Sequence, residues 1–282
     1  DNTAYLFFNT TIKPLNDPNL RRALAYAIDP TIIAKNVYEG QVLPSNNVGF
    51  LPIKGWMKFY PENAVKQYGF KYDPKTARSL LDKAGYKDVN KDGYREAPDG
   101  SKFKIEISVP YGWTDWMESA KIIAAQFVQV GINAEAKFPD YSKYNDDLIS
   151  GKFSAAISNS GSQMTVSPWT SFNWLFNSPI SENMYNGNFG KYNNQKLFDL
   201  VTQLNSTPMD DTAANKKVIE QIAEIFLKDM PAIPLWYNGM WFEASTQVWK
   251  GWPSEKTPYA YPTTWGGRWQ TGGVMMLIGL KQ

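Results

Sequence analysis

No cysteine and no histidine occur among the 282 residues. Without thiols there is no disulfide, no thiolate nucleophile and no sulfur-ligated metal. Without imidazole there is no Ser–His or Cys–His catalytic arrangement and no histidine-held metal. The missing disulfides leave the compartment open, because exported proteins also do without them. Long apolar runs are absent too: no stretch approaches the roughly eighteen apolar residues of a membrane-spanning helix. Neither sign of charge dominates, with 29 basic and 27 acidic residues interspersed for a net +2. A nucleic-acid or polyanion partner is therefore not indicated. No export signal is visible, and the first residues run almost directly into a strand-like segment. The expectation is that a signal was removed or that the chain is part of a longer product.

Aromatic residues are what the chain has in quantity: eleven tryptophans and sixteen tyrosines, within a composition that is 43% hydrophobic. That much apolar side chain buries a large core, and the length suits more than one lobe. Tryptophan brings a broad flat face and an N–H, which serve recognition surfaces as well as cores. The stretch from Phe153 to Trp174 shows both. Phe153, Ala155 and Ile157 alternate as in a strand with one buried face. Asn159-Ser160-Gly161-Ser162-Gln163 then offers amides and hydroxyls without charge, and Pro168-Trp169, Phe172, Trp174 and Phe176 follow. Uncharged polar tips beside flat rings suit a neutral, hydroxyl-rich ligand. A surface loop next to a core aromatic cluster is the plain alternative.

Along the chain, Tyr5-Leu6-Phe7-Phe8 reads as a strand with no nearby hairpin partner. Asp17-Pro18, Asp29-Pro30 and Asp73-Pro74 are three repeats of one helix-start signal, an Asp N-cap followed by proline at the first helical position. In the first helix Leu20, Leu24 and Ile28 form the apolar face, with Arg21 and Arg22 opposite. The third is closed by Gly85. Gly40 to Tyr68 reads as a long irregular stretch. Lys102–Val109 and Ile132–Phe138 read as strands around a helix that Asp115 caps and Gly131 ends. A short helix marked by Tyr141, Tyr144 and Leu148 leads to the strand before Asn159. Strand, helix, strand, helix, strand over 102–158 predicts an α/β unit with crossover helices. Two helices, Leu197–Leu204 and Ala213–Leu227, precede a strand at Ala232–Tyr237. From Asn238 the chain turns rich in tryptophan, proline and glycine, with Trp241, Trp249, Trp252, Trp265 and Trp269. Neither the first dozen residues nor this tail has a core of its own.

Several of these segments resemble one known family. Asn16-Asp17-Pro18 through Arg21-Arg22-Ala23-Leu24-Ala25-Tyr26-Ala27-Ile28-Asp29 is similar to the start of the C-terminal lobe of the peptide/nickel/oligosaccharide class (family 5) of ABC-transporter extracellular solute-binding proteins. Tyr72-Asp73-Pro74 through Leu81 with Ala84-Gly85-Tyr86, then Gln126–Gly131 with Ile132 and Tyr141, then Met230-Pro231-Ala232-Ile233-Pro234-Leu235 resemble further parts of it, in order. The resemblance implies a periplasmic-binding-protein-like α/β lobe, a mixed sheet flanked by helices, whose terminal segments belong to a second, mostly missing lobe. By that reading residues 1–12 are a first-lobe strand and crossover, 13–235 the complete ligand-binding lobe, and 236–282 the return crossover and tail. Asn9–Lys13 and Leu235–Asn238 would be the crossings. The resemblance further implies a periplasmic or extracellular, non-catalytic binding component, a monomeric partner of ABC permease transmembrane subunits, held at the membrane through a removed or missing N-terminal signal or anchor.

Peptide-binding members of the family resemble one another in carrying an acidic residue in the loop after the Ala155 strand. Here residues 159–168 hold no Asp or Glu. With the resemblance of Ser167-Pro168-Trp169 and the tryptophan-rich tail to the cellobiose-type branch, this favours a neutral β-linked gluco- or manno-oligosaccharide over an oligopeptide. Candidate contacts lie at strand ends or crossings: Trp113 and Trp116, Asn159 and Ser160, Trp169, Trp236 with Asn238, and Trp56. For each tryptophan, core packing is the competing reading.

Two other chemistries have candidate residues in the chain. Asp88, Asn90, Asp92, Tyr94, Glu96 and Asp99 follow a calcium-loop spacing, although Asp92-Gly93 is also an ordinary hairpin turn. No cofactor is otherwise required. A glycosidase needs two carboxylates about 5–10 Å apart across a sugar; Asp115, Glu118, Asp146 and Asp147 are each accounted for by a helix cap or a solvated helix face.

Overall fold

The computed structural model describes residues 2–161, 167–239, 242–254, 256–260 and 272–282. They form two compact units, residues 1–239 and 240–282. The elements in chain order are β1 (Asn2–Phe8), α1 (Pro18–Ala27), α2 (Pro30–Asn36), α3 (Lys54–Met57), α4 (Glu62–Tyr68), α5 (Pro74–Lys83), β2 (Ile105–Ser108), α6 (Thr114–Gln129), β3 (Ala134–Lys137), α7 (Tyr141–Ser150), β4 (Ala155–Asn159), α8 (Trp169–Leu175), α9 (Gln195–Ser206), α10 (Thr212–Asp229), β5 (Ala232–Asn238) and α11 (Val274–Gly279).

The three Asp-Pro signals each start a helix. Asp17 accepts from the Asn19 N–H at 2.8 Å, Asp29 from Thr31 at 2.9 Å, and Asp73 from Lys75 and Thr76 at 3.1 Å. Each carboxylate satisfies donors that the first helical turn leaves open. Two helices lie where the sequence reads as irregular, α3 and α4. The first turn of α4 is capped from afar: Glu220 on α10 accepts from the backbone N–H of Asn63 at 3.2 Å and of Ala64 at 2.9 Å. Helix α6 starts two residues earlier than Asp115 as its cap implies; Trp113 is the N-cap and Asp115 sits in the first turn.

The five strands form one mixed sheet in the order β3-β2-β4-β1-β5. β2 runs parallel to β3 and β4, and β1 is antiparallel to both β4 and β5. Consequently the carboxyl ends of β2, β3, β4 and β5 and the amino end of β1 share one edge of the sheet. Register confirms it: Ala4 lies opposite Asn159, and Asn2 opposite Asn238. Ala4 to Phe8 are buried along their whole length, as befits a strand between two others with helices on both faces.

This placement corrects the boundaries expected from sequence. Residues 2–8 are not part of a separate lobe but an inner strand of this sheet, paired with β4 and β5. Asn9 is no crossing either; its amide donates to the carbonyls of Gly151 (2.7 Å) and Phe153 (3.1 Å) in the turn before β4. Leu235–Asn238 is the last part of β5, so the compact unit closes at Gly239.

Arg21 also departs from expectation. Placed by periodicity on the polar face of α1, it is only 2% exposed. Its guanidinium donates to the carbonyls of Leu15 (2.6 Å), Asp229 (2.5 Å) and Met230 (3.1 Å), covering the C-terminal carbonyls of α10.

The unit from 240 to 282 is small. Lys250 pairs with Lys281 by backbone hydrogen bonds of 2.7 and 3.0 Å. Trp252 donates its indole N–H to the carbonyls of Ser245 and Trp249, and Tyr259 its hydroxyl to Gly251. Trp241, Trp265 and Trp269, like Ser162 and Gln163, lie outside the described residues.

Candidate functional site

Between the starts of α6 and α7 and the end of β4, at the edge of the sheet where four carboxyl ends meet, is a recess of about 200 Å³. Carboxyl ends of strands in α/β sheets are where ligands are generally held. One wall is Trp113 and Tyr141, stacked with centroids 5.9 Å apart and planes 29° from parallel. Trp116 stands edge-on to Trp113 at 5.2 Å. Trp174 and Phe189, edge-on to each other at 5.9 Å, also line it. The polar tips are the amides of Asn145 and Asn159 and the hydroxyl of Ser158. No Asp, Glu, Lys or Arg is among the described residues that line it.

Two of the polar groups are spoken for. Asn159 Oδ1 accepts from the Gly161 N–H at 3.0 Å, and its carbonyl accepts the Trp174 indole N–H at 3.1 Å. Tyr144 donates its hydroxyl to the Ile157 carbonyl at 2.6 Å, and burial pushes its phenol well above the usual tyrosine range. Such a site offers flat apolar faces and hydrogen bonds, and no formal charge to neutralise.

Residues 1–183 match the family described as bacterial extracellular solute-binding proteins, family 5 middle. The chain belongs to the family 5 bacterial extracellular solute-binding proteins. A mannohexaose-bound periplasmic oligopeptide-binding protein of an oligopeptide ABC transporter from Thermotoga maritima is 50% identical, with a TM-score of 0.93. That match covers 99% of this chain and 52% of the other. A heme-binding protein A from Haemophilus influenzae is 26% identical over 94% of this chain and 44% of its own length. An oligopeptide-binding protein from Bacillus subtilis is 28% identical over 84% of this chain and 40% of its own. The chain thus spans about half the length, or less, of these relatives. The mixed sheet flanked by helices is the architecture of the solved relative.

Within this family 5 lobe the residues expected at the ligand separate into three groups. Trp113, Trp116 and Asn159 are brought together in the recess. Ser160 and Asn238 stay near that edge of the sheet. Ser160, 1% exposed, accepts the Thr3 N–H at 3.2 Å and so ties the chain after β4 to β1, and half-buried Asn238 ends β5. Trp56 and Trp236 are corrected to core: both are 0% exposed, Trp56 edge-on to Phe50 at 5.6 Å and Trp236 edge-on to Trp116 at 6.1 Å. A ring with no accessible face cannot stack on a ligand. Trp169, at the start of α8, is half-buried and packs on the core.

Sequence reasoning missed Asn145, Ser158, Tyr185 and Phe189, and noted Trp174 among the rings after Asn159 without naming it a contact. For Asn145 a signal existed, since Tyr141, Tyr144, Asn145 and Leu148 share one face of α7. For Tyr185 and Phe189, in a loop beyond α8, none did.

The calcium-loop spacing is present in sequence but not in space. Asp88 accepts from the Gly93 N–H, Asn90 from Asp92, Asp92 from Tyr94 and Lys102, Glu96 from Val89, and Asp99 from Ser101. These oxygens hold the turn itself. Among the described residues no three acidic groups converge as a cation site requires.

Proposed function

We propose that this chain is the ligand-holding lobe of the substrate-binding component of an ABC importer, and that it takes a neutral β-linked gluco- or manno-oligosaccharide. The observation that carries this reading is the recess: stacked and edge-on aromatic walls, uncharged amide and hydroxyl tips, and, among the described residues, no lining residue with a formal charge. The C–H faces of pyranose rings lie against indole and phenol planes, while ring hydroxyls exchange hydrogen bonds with Asn145, Ser158 and Asn159. The mannohexaose held by the Thermotoga maritima relative supports the ligand class. Ligand is bound, carried and released unaltered to permease transmembrane subunits by a periplasmic or extracellular monomer.

An oligopeptide is the second reading, because two of the relatives are named for oligopeptides. A peptide's terminal ammonium brought into such a recess needs a carboxylate to offset its lost hydration. The described lining residues supply none, and residues 159–168 contain none in sequence.

Calorimetric titration of the full-length protein with mannohexaose, cellohexaose and a mixed hexapeptide tests this. Saturable heat from at least one sugar and none from the peptide is expected. Saturation by the peptide with neither sugar binding overturns it, and reducing ends released from either sugar overturn the non-catalytic role.

A further inference from the structure

Trp174 is held in the recess at more points than its packing requires. Its indole N–H is donated to the Asn159 carbonyl at 3.1 Å, and Phe189 stands edge-on to it at 5.9 Å. Its own carbonyl accepts the Asn188 N–H at 2.8 Å. Two glycines then press on it. A β-carbon at Gly161 would lie 2.9 Å from both Cδ2 and Cε3 of the indole. A β-carbon at Gly187 would lie 2.9 Å from its Cγ and 2.0 Å from its carbonyl oxygen. Both glycines also have left-handed backbones, with φ of +73° and +96°, where a side chain is disfavoured in any case. Gly161 is in addition the residue whose N–H fixes the Asn159 side chain.

We propose that Gly161 and Gly187 are positioning residues that set the plane of Trp174 and so make it a rigid stacking wall. This rests on the recess being the ligand site, as proposed above. A wall whose orientation is fixed before binding loses little rotamer freedom when ligand arrives, which raises affinity without any added contact. It also admits rings only in the plane it presents, so the glycines govern which ring face is accepted although they touch no ligand.

The test is a cycle of variants in the full-length protein, Gly161→Ala, Trp174→Leu and the two together. Mannohexaose affinity is read by calorimetry, and indole environment by ¹⁹F resonances of incorporated 5-fluorotryptophan, with Trp174 assigned from the peak lost in W174L. G161A is expected to shift the Trp174 resonance, leave most other tryptophan peaks in place, and weaken mannohexaose roughly tenfold. In the W174L background the same glycine change should alter affinity less than about twofold, because backbone strain at residue 161 is common to both arms and cancels. An equal loss in both backgrounds, or an unmoved Trp174 resonance in G161A, overturns the positioning role. A shifted resonance with unchanged affinity in G161A, while W174L loses affinity, overturns it too. If W174L binds mannohexaose like the parent, the reading of the recess as ligand site fails instead. The ¹⁹F arm then still decides whether Gly161 fixes the indole.

Discussion

The indole of Trp113 lies over the ring of Tyr141 with their planes 29° apart, although the two residues begin different helices. Neither is core: Trp113 is 40% exposed and Tyr141 56%. A stacked aromatic pair held open to solvent at the carboxyl ends of the strands is a surface prepared for another flat, apolar face. The pair gives the first prediction. Trp113→Ala should weaken mannohexaose by roughly tenfold, the scale of one lost aromatic contact. Because the ring is largely exposed, Tm should change by no more than about 2 °C. Calorimetry and thermal unfolding of the same sample check both, and a large fall in Tm with unaltered affinity would reassign Trp113 to structure.

Trp236 makes the opposite case. With no exposed surface, packed between Trp116 and Tyr38, it carries stability. Trp236→Ala should cost about 3–5 kcal/mol, the usual range for a large aromatic removed from a core. Trp56→Ala belongs in the same range for the same reason. Urea unfolding followed by circular dichroism measures it. Either variant keeping parental stability while losing mannohexaose would return that tryptophan to the ligand site.

The absence of charge in the recess predicts a flat pH profile. With no histidine in the chain and no carboxylate or ammonium among the described residues lining the site, mannohexaose affinity should hold constant from about pH 5 to pH 9. Stability has one alkaline limit. Burial raises the phenols of Tyr5 and Tyr144 above their unfolded value, so the folded state keeps protons that the unfolded chain releases. That contribution is complete below the unfolded value of about 10 and is lost as pH rises beyond it, so unfolding free energy should decline from about pH 10 upward. A step in affinity between pH 5 and 8 would mean that an ionising group meets the ligand.

How much of this was legible beforehand differs by residue. Asp17, Asp29 and Asp73 announce their helices because capping is a local transaction between a carboxylate and the next two or three N–H groups. The strands around α6 are equally plain, since alternation is local. Helix α4 is not, because its first turn is satisfied by Glu220 from a helix more than 150 residues away. Residues 2–8 looked partnerless for the same reason: their hydrogen bonds go to β4 and β5. In the site, Asn159 and Trp113 are readable from their position after a strand. Trp56 and Trp236 are not separable from them in sequence, because one residue type serves a wall and a core alike. Tyr185 and Phe189 reach the recess through a loop with no periodic pattern to betray it.

Arg21 supplies the last prediction. Helical spacing assigns it to water, yet its guanidinium is buried against the carbonyls of Leu15, Asp229 and Met230, where α10 ends. The end of a helix leaves carbonyls without partners and carries partial negative charge, so a buried cation with a forked set of donors suits it. Arg21→Met keeps the length and apolar stem but strips every donor, leaving buried acceptors bare. The expected loss is about 3 kcal/mol. At 2–4 °C per kcal/mol for a chain of this size, that is a fall in Tm of roughly 6–12 °C. Arg21→Lys, a compact ammonium without the planar fork, should recover only part of it. Mannohexaose affinity measured well below the transition should be unaffected in both, because Arg21 lies at the other end of β1 from Asn159. Parental Tm in R21M would show that these hydrogen bonds are dispensable and that α1 and α10 hold together by apolar packing alone.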